Sequence, residues 1–425
     1  MTTSPSSSVA FSYAWNRPYL PADGAGIGTG TYYLLIEARG KAASVAERAP
    51  INVALVLDRS GSMTGKPLAY SKQACQFVVD QLRDRDVLSM VAFDDEVQTI
   101  VPPVRVSNKG ELKQRIERIQ TGSCTNLSGG LIEGARHALA SKNTEPNAVN
   151  RVIVLSDGHA NRGITSKQRL AEIAREYGSS GVGITAMGVG DGFDEELMDT
   201  ISDHGGGNFY YIDTPERIPV ILQKELEGLL SVVANRMTLT IRQSGGARVT
   251  NVFGYAAEER PGELKVNASD LYANETKAIL LEVVVSPQAP GRHPLLELVW
   301  EYTDLTDGIK TACSFKCGVH AEFTEDPLLL DSQGEAKVLE QVELALSAKA
   351  IEAAMEAMDR GDLYTGQQML REQADQLRSK SDTIDAPLLS MAADKLLSQL
   401  DDNFTYDSRT RKVLHEQKYK QLRRQ

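Results

Sequence analysis

Residues 51–63 read INVALVLDRSGSM, an almost unbroken apolar run, Ile51 to Leu57, that ends on Asp58 and then on Ser60 and Ser62 around Gly61. A strand apolar on both faces belongs in the middle of a parallel sheet covered by helices, whereas a half-exposed antiparallel strand alternates. Four more such runs follow at intervals that leave room for crossover helices: Val87–Phe93, Arg151–Leu155, Val182–Val189 and Phe209–Ile212. Val97–Val101 reads as a short hairpin partner of the second. Between them Leu68, Cys75, Val79 and Leu82 recur at helical spacing, as do Leu127, Leu131, Ala135 and Leu139. Residues 49–234 therefore read as an α/β unit, a doubly wound and mostly parallel sheet of Rossmann-like type.

Outward from that unit the period changes. A long helix, about Pro215 to Val233, closes it, and after it Met237–Arg242, Lys277–Ser286, Leu295–Tyr302 and Lys310–Cys317 read as antiparallel strands, four to six in all, of a small β-sandwich. Before it, Tyr32, Leu34 and Ile36 alternate with Tyr33, Leu35 and Glu37, so residues 9–45 are expected to complete the sandwich. The α/β unit is then an insertion between sandwich strands, with both connections at one end. The expected division is 1–48 and 235–322 for the sandwich, 49–234 for the insertion, 323–402 for a helical hairpin or bundle, and 403–425 for a basic tail. Within the helical region, Gly361 suits the end of one helix and Asp362 the N-cap of the next.

With 425 residues and a net charge of −11, the chain is long enough for several cores and too acidic to favour nucleic acid as its main partner. Its longest apolar runs fall well short of the ~20 residues that span a bilayer, and the opening Met-Thr-Thr-Ser-Pro-Ser-Ser-Ser has no secretory character, so a cytoplasmic location is expected. Four scattered cysteines suit reduced thiols. Cys313 and Cys317 point the same way on a strand, but only His320 is near them, too few ligands for zinc. The basic residues concentrate at the end: Arg409, Arg411, Lys412, Lys418, Lys420, Arg423 and Arg424 against Asp407 and Glu416.

The chemistry gathers where open parallel sheets place ligands, at the C-terminal ends of strands. Asp58, Ser60 and Ser62 offer a carboxylate and two hydroxyls at alternate positions of a turn. Asp157, in Ser156-Asp157-Gly158, follows a neighbouring strand, and the loop Thr121 to Leu127 brings a hydroxyl just before a helix. Two carboxylates and three hydroxyls are hard oxygen donors, suited to Mg²⁺, with Mn²⁺ or Ca²⁺ as alternatives. Taken alone, Asp58-x-Ser60-x-Ser62 also suits a strand-end turn and helix cap with no metal. His159 stands two residues beyond Asp157 as a rim residue or a further ligand.

At these residues the sequence resembles the von Willebrand factor type A (VWA) family and its metal-ion-dependent adhesion site (MIDAS), Asp-x-Ser-x-Ser, then Thr, then Asp. The match falls on Asp58, Ser60, Ser62, Thr125 and Asp157. The resemblance implies a divalent ion held by these five residues, with one position left for an Asp or Glu of a partner protein, and a closing helix that moves with the Thr125 loop. Cys124 stands where the family commonly has Gly. The sandwich and helical region resemble bacterial members without a secretion signal.

The resulting expectation is a non-enzymatic adaptor or scaffold that binds a protein partner through the metal. Two alternatives remain at this stage: binding of an anionic surface or nucleic acid by the basic tail, and metal-dependent phosphoester hydrolysis. The second is disfavoured because a strand-end aspartate nucleophile needs an acid two residues later, where Ser60 stands, and no Gly-x4-Gly-Lys-Ser/Thr loop occurs.

Overall fold

The protein is described from a computed structural model, in which residues 8–41, 48–144, 148–306, 310–400 and 404–423 are placed. The central strands Ile51–Asp58 and Val149–Ser156 are buried at all eight positions each, as continuous apolar runs require. Across the sheet the order is Val97–Arg105, Val87–Phe93, Ile51–Asp58, Val149–Ser156, Val182–Val189 and Gly206–Ile212, with only the first pair antiparallel. Helices Lys66–Gln81, Lys109–Glu117 and Ile218–Leu230 cover one face through Leu68, Val78, Ile116 and Leu222. Helices Leu127–Thr144, Lys167–Ser179 and Glu195–Gly205 cover the other through Leu131, Leu170 and Met198.

The sandwich is larger than the four to six strands expected from sequence. One sheet runs Val9–Trp15, Gly30–Gly40, Thr276–Val285, Ala247–Phe253. The other runs Ala257–Arg260, Glu263–Tyr272, Val232–Gln243, Gly291–Asp304, Thr311–Thr324, Tyr19–Pro21. Phe11 stacks between Trp300 and Phe315, with ring centroids 5.1 and 5.0 Å away, and anchors the shared core. The α/β unit is inserted between strand Gly30–Gly40 of one sheet and Val232–Gln243 of the other. Both connections do lie at one end: a Cβ on Gly40 would meet the Tyr272 carbonyl and the Val233 side chain, so only glycine lets the outgoing strand pass the returning one. The closing helix is shorter than the run Pro215 to Val233. A 3-10 turn at Pro215–Arg217 leads into Ile218–Leu230, and Val232 already begins the next strand, because Ser231 bonds Gly228 and breaks an apolar run that sequence alone reads as one helix.

Helices Ala336–Asp359, Leu363–Ile384 and Pro387–Leu397 form a bundle around Ile351, Leu370, Leu377 and Leu389. Gly361 turns at φ +92°, and Asp362 caps the second helix by accepting from the Thr365 N–H at 3.1 Å. The first of these helices also packs Val338, Val342 and Ala345 on the outer face of the four-stranded sheet.

The basic tail is a helix, Ser408–Arg423, laid against the exposed edge of the α/β sheet. The Phe209 N–H on the outermost strand donates to the Tyr419 hydroxyl at 3.3 Å, so a side chain supplies what a further strand would. Five of its cations pair with acids of this chain, and Arg409 stays exposed. Lys412, 3% exposed, pairs with Glu195 at 2.9 Å; Arg411 pairs with Glu195, Glu196 and Asp359; Arg423 pairs with Asp203; Lys418 pairs with Glu352 and Lys420 with Glu416. Arg424 lies outside the described residues. Deleting the chain from Ser408 onward removes the buried Leu414 and Tyr419 side chains, about 1.5–3 kcal/mol each, and leaves Glu195 unpaired. The expected result is a lower melting temperature in calorimetry and a shift to larger species on size exclusion as the sheet edge opens.

Candidate metal centre

Asp58 is the last residue of its strand, and the turn after it is fixed by its own side chain. The Ser60 N–H donates to Asp58 Oδ1 at 2.8 Å and the Ser156 hydroxyl to Oδ2 at 2.5 Å. The carboxylate is fully buried. Burial pushes the Asp58 carboxyl up to about 6 and also raises that of Asp157. Among the described residues neither has an ion pair; Arg59, next in sequence, turns to Asp94 at 3.1 Å and to Gln98. Two neighbouring buried carboxylates at strand ends, without a cation of the protein, form a site that lacks positive charge.

The hydroxyls do not cap a helix. Ser60 precedes the 3-10 turn Gly61–Met63 without a side-chain cap bond, and the following helix Lys66–Gln81 has Gly65 at its N-cap. Instead Ser60 Oγ and Ser62 Oγ lie 3.2 Å apart and Ser62 donates to Asp157 Oδ1 at 2.7 Å. Thr125, 4% exposed, completes the group: a Cβ placed on Gly158 would sit 3.0 Å from Thr125 Oγ1 and 3.6 Å from Ser62 Oγ. The space between these hydroxyls is one that a side chain at 158 would fill. All five residues predicted from sequence are thus gathered around the ends of two adjacent strands, and the donor set fits a hard divalent ion. His159 is exposed at the rim. No group of three or more His, Cys, Asp or Glu that could hold a metal occurs among the described residues, so an ion here relies on hydroxyls; Cys313 and Cys317 are free.

Several residues that hold this arrangement were not read from sequence. Asn161 clamps Thr125 from both sides, its Oδ1 accepting from the Thr125 N–H at 2.9 Å and its own N–H donating to the Thr125 carbonyl at 3.1 Å. Asp94 accepts from Arg59, and its carboxylate occupies the place a Cβ on Gly122 would need, so the Thr125 loop passes close over it. Ser156 was quoted in the motif without a role. A further loop reaches the site from behind: a Cβ on Gly192 would touch the Asp157 carbonyl, and the Asp191 carbonyl next to it accepts from Ser408 Oγ of the C-terminal helix at 3.1 Å. The only advance signal for these contacts is the density of Gly, Asn and Ser in loops beside strand ends.

The family model of the von Willebrand factor type A domain matches residues 52–224. Two solved structures share the fold along nearly the whole chain. The von Willebrand factor type A protein from Catenulispora acidiphila has TM-score 0.73 and 18% identity over 99% of this chain and 98% of that one. The ArnB paralog VWA2 from Sulfolobus acidocaldarius has TM-score 0.67 and 17% identity over 98% and 99%. At those identities the likeness is one of fold, and it includes the sandwich and the helices as well as the inserted sheet. The uncharacterized protein sll0103 of Synechocystis is 25% identical over 295 residues, 67% of this chain and 69% of its own.

Proposed function

We propose that this chain, whose residues 52–224 match the von Willebrand factor type A domain, is a non-enzymatic adaptor that binds an acidic partner protein through a divalent ion at a MIDAS. The observation that carries this reading is the convergence of Ser62 and Thr125 on the space beside Gly158, next to two buried carboxylates without a cation. Asp58, Ser60, Ser62, Thr125 and Asp157 hold the ion. Mg²⁺ is the proposed metal because every donor is a hard oxygen and none is a thiolate or imidazole. When bound, it supplies an electrophilic position for a partner's Asp or Glu. The residues of this chain do the rest: Asn161 fixes the height of Thr125, Ser156 orients Asp58, and Gly158 keeps the approach open.

The basic tail is a poor basis for the nucleic-acid alternative, since Arg411, Lys412, Lys418, Lys420 and Arg423 are paired within the chain. The hydrolase alternative lacks a general acid, because Ser60 is 1% exposed and bonded within the turn. The cytoplasm is the proposed compartment; no helix among the described residues is long and apolar enough to cross a membrane.

A capture experiment from native lysate tests the function: a partner retained with Mg²⁺ should be lost with EDTA and lost from Asp157→Ala bait. Equal recovery in all three would remove the metal from recognition. Gly158→Ala provides a finer test, because its methyl group enters the space beside Thr125 at 3.0 Å. It is expected to weaken Mg²⁺ binding at least about tenfold, or roughly 1.4 kcal/mol, in calorimetric titration, with melting temperature nearly unchanged. Turnover of a phosphoester that vanishes in Asp157→Ala would contradict the non-enzymatic reading.

A further inference from the structure

We propose that the cleft between the α/β unit and the outer face of the six-stranded sheet is a second ligand site, for a small hydroxylated molecule bearing a phosphate or carboxylate group. The cleft encloses about 690 Å³ and lies between the C-terminal ends of helices Lys167–Ser179 and Glu195–Gly205 and the sheet. It continues into a cavity of about 30 Å³ at the N-terminal ends of the parallel strands, bounded by Val149, Gly183 and Gly206, the end of the sheet opposite to Asp58 and Asp157. Gly178, Arg236 and Asn267 line both spaces, so Arg236 stands at the passage between them.

Arg236 is placed there by a bulge. On both sides of strand Val232–Gln243 the register slips around it, from Asn235↔Thr303 to Thr238↔Glu301 and from Ala234↔Leu271 to Met237↔Ser269. Its φ is +56° and that of Ser269 is +64°, two non-glycine residues in the left-handed region across one ladder. Bulges re-aim side chains, and left-handed arginine is costly enough to need a return.

The surroundings supply that return if an anion binds. A Cβ on Gly181 would lie 3.5 Å from Lys142 Nζ and 3.7 Å from Arg236 Nε, so the two cations crowd one point, while Arg175 and Lys265 line the cleft itself. Lys142 and Arg236 donate to the carbonyls of Ser180 and Ser179, and among the described residues neither pairs with a carboxylate; Lys310 donates to the Ala148 carbonyl. Burial, with Lys142 and Arg236 nearby, holds the Lys310 ammonium down to about 8. Asp270 and Asp203 are engaged by Arg151 and Arg423, which leaves Glu258 and Glu301 on the far wall as the acids facing a ligand. The small cavity adds a second requirement. Asn235 is 6% exposed and its Oδ1 has no hydrogen-bond partner, so it offers a buried acceptor to one hydroxyl-sized group. An oxyanion on Arg236 and Arg175 with a hydroxyl reaching Asn235 satisfies both.

The test uses the full chain, titrated calorimetrically with inorganic phosphate, glycerol 3-phosphate and malate. Saturable binding of a phosphate probe, of malate or of both supports the site and tells which anion it takes. Arg236→Gly removes the cation and relieves the left-handed strain together, so the fold is kept; binding should weaken at least about tenfold, with Mg²⁺ titration unchanged. Arg175→Ala, at an exposed position, should weaken it as well. The proposal is overturned if no probe binds below about 10 mM, or if both variants bind as the parent does and the cations merely serve the helix carbonyls.

Discussion

Asp58→Asn is expected to abolish Mg²⁺ binding without destabilising the metal-free protein. The Asn side chain keeps the shape of Asp58, still accepts from the Ser60 N–H and meets the Ser156 hydroxyl with reversed polarity, while removing a buried charge that has no cation of the protein beside it. In the parent, Mg²⁺ at about one hundred times its dissociation constant adds roughly 2.7 kcal/mol of stability, and the variant forgoes all of it. For a domain of this size each kcal/mol moves the melting temperature by about 2–4 °C, so thermal scans with and without Mg²⁺ should differ by several degrees in the parent and coincide in Asp58→Asn. A shift of equal size in both proteins would mean that the ion binds elsewhere.

Arg151→Met carries the largest expected loss of stability, about 3–5 kcal/mol in urea denaturation. Arg151 is 1% exposed on a central strand of the α/β sheet, and it joins three parts of the molecule: Asp270 of the sandwich at 2.6 Å, the Gly206 carbonyl at 3.2 Å, and Glu225 of the closing helix at 4.0 Å. Glu225 in turn accepts from Thr185, Asn208 and Tyr210. Methionine fills the volume but strands two acids, one of them fully buried. Adding Glu225→Gln should recover part of the loss, since the remaining bonds suit an amide. The same pair of variants tests the movement of the closing helix with the Thr125 loop that the family resemblance implies, and whether it reaches the sandwich. Loosening this hub should change Mg²⁺ or partner affinity; an affinity unchanged in a still-folded double variant would leave the sandwich a passive platform.

The α/β unit was legible because its buried strands are written as apolar runs, and the residues of the candidate centre because each stands at the end of such a run. What escaped notice was polar and non-periodic. Glu263–Tyr272 has the sequence ELKVNASDLY, in which Asn267, Ser269 and Asp270 interrupt alternation where the bulge lies. Ala247–Phe253 buries only its two end residues. Arg151 was placed at the start of a strand, but its partners Asp270 and Glu225 are distant in sequence, and burial of a charge shows only once the sheet is assembled. Asn161 gave no sign in a loop without period. The C-terminal helix was read as a basic tail because its acids, Glu195, Glu196, Asp199 and Asp203, belong to another helix.

The docking of that helix on the open edge of the α/β sheet has a consequence for how the chain is made. On the ribosome the inserted unit emerges complete long before Ser408–Arg423, and until then the Phe209 edge and the Glu195 carboxylate face solvent or chaperone. The first two strands of the four-stranded sheet wait likewise for Thr276–Val285, and the loop at Gly192 that presses on Asp157 is fastened from outside only when Ser408 arrives. The four-stranded sheet is thus completed first, whereas closure of the Phe209 edge and of the Gly192 loop waits for Ser408–Arg423. Nascent chains arrested after the insertion but before Ser408–Arg423 should stay protease-sensitive at that edge, which places a late step of maturation beside the candidate metal centre.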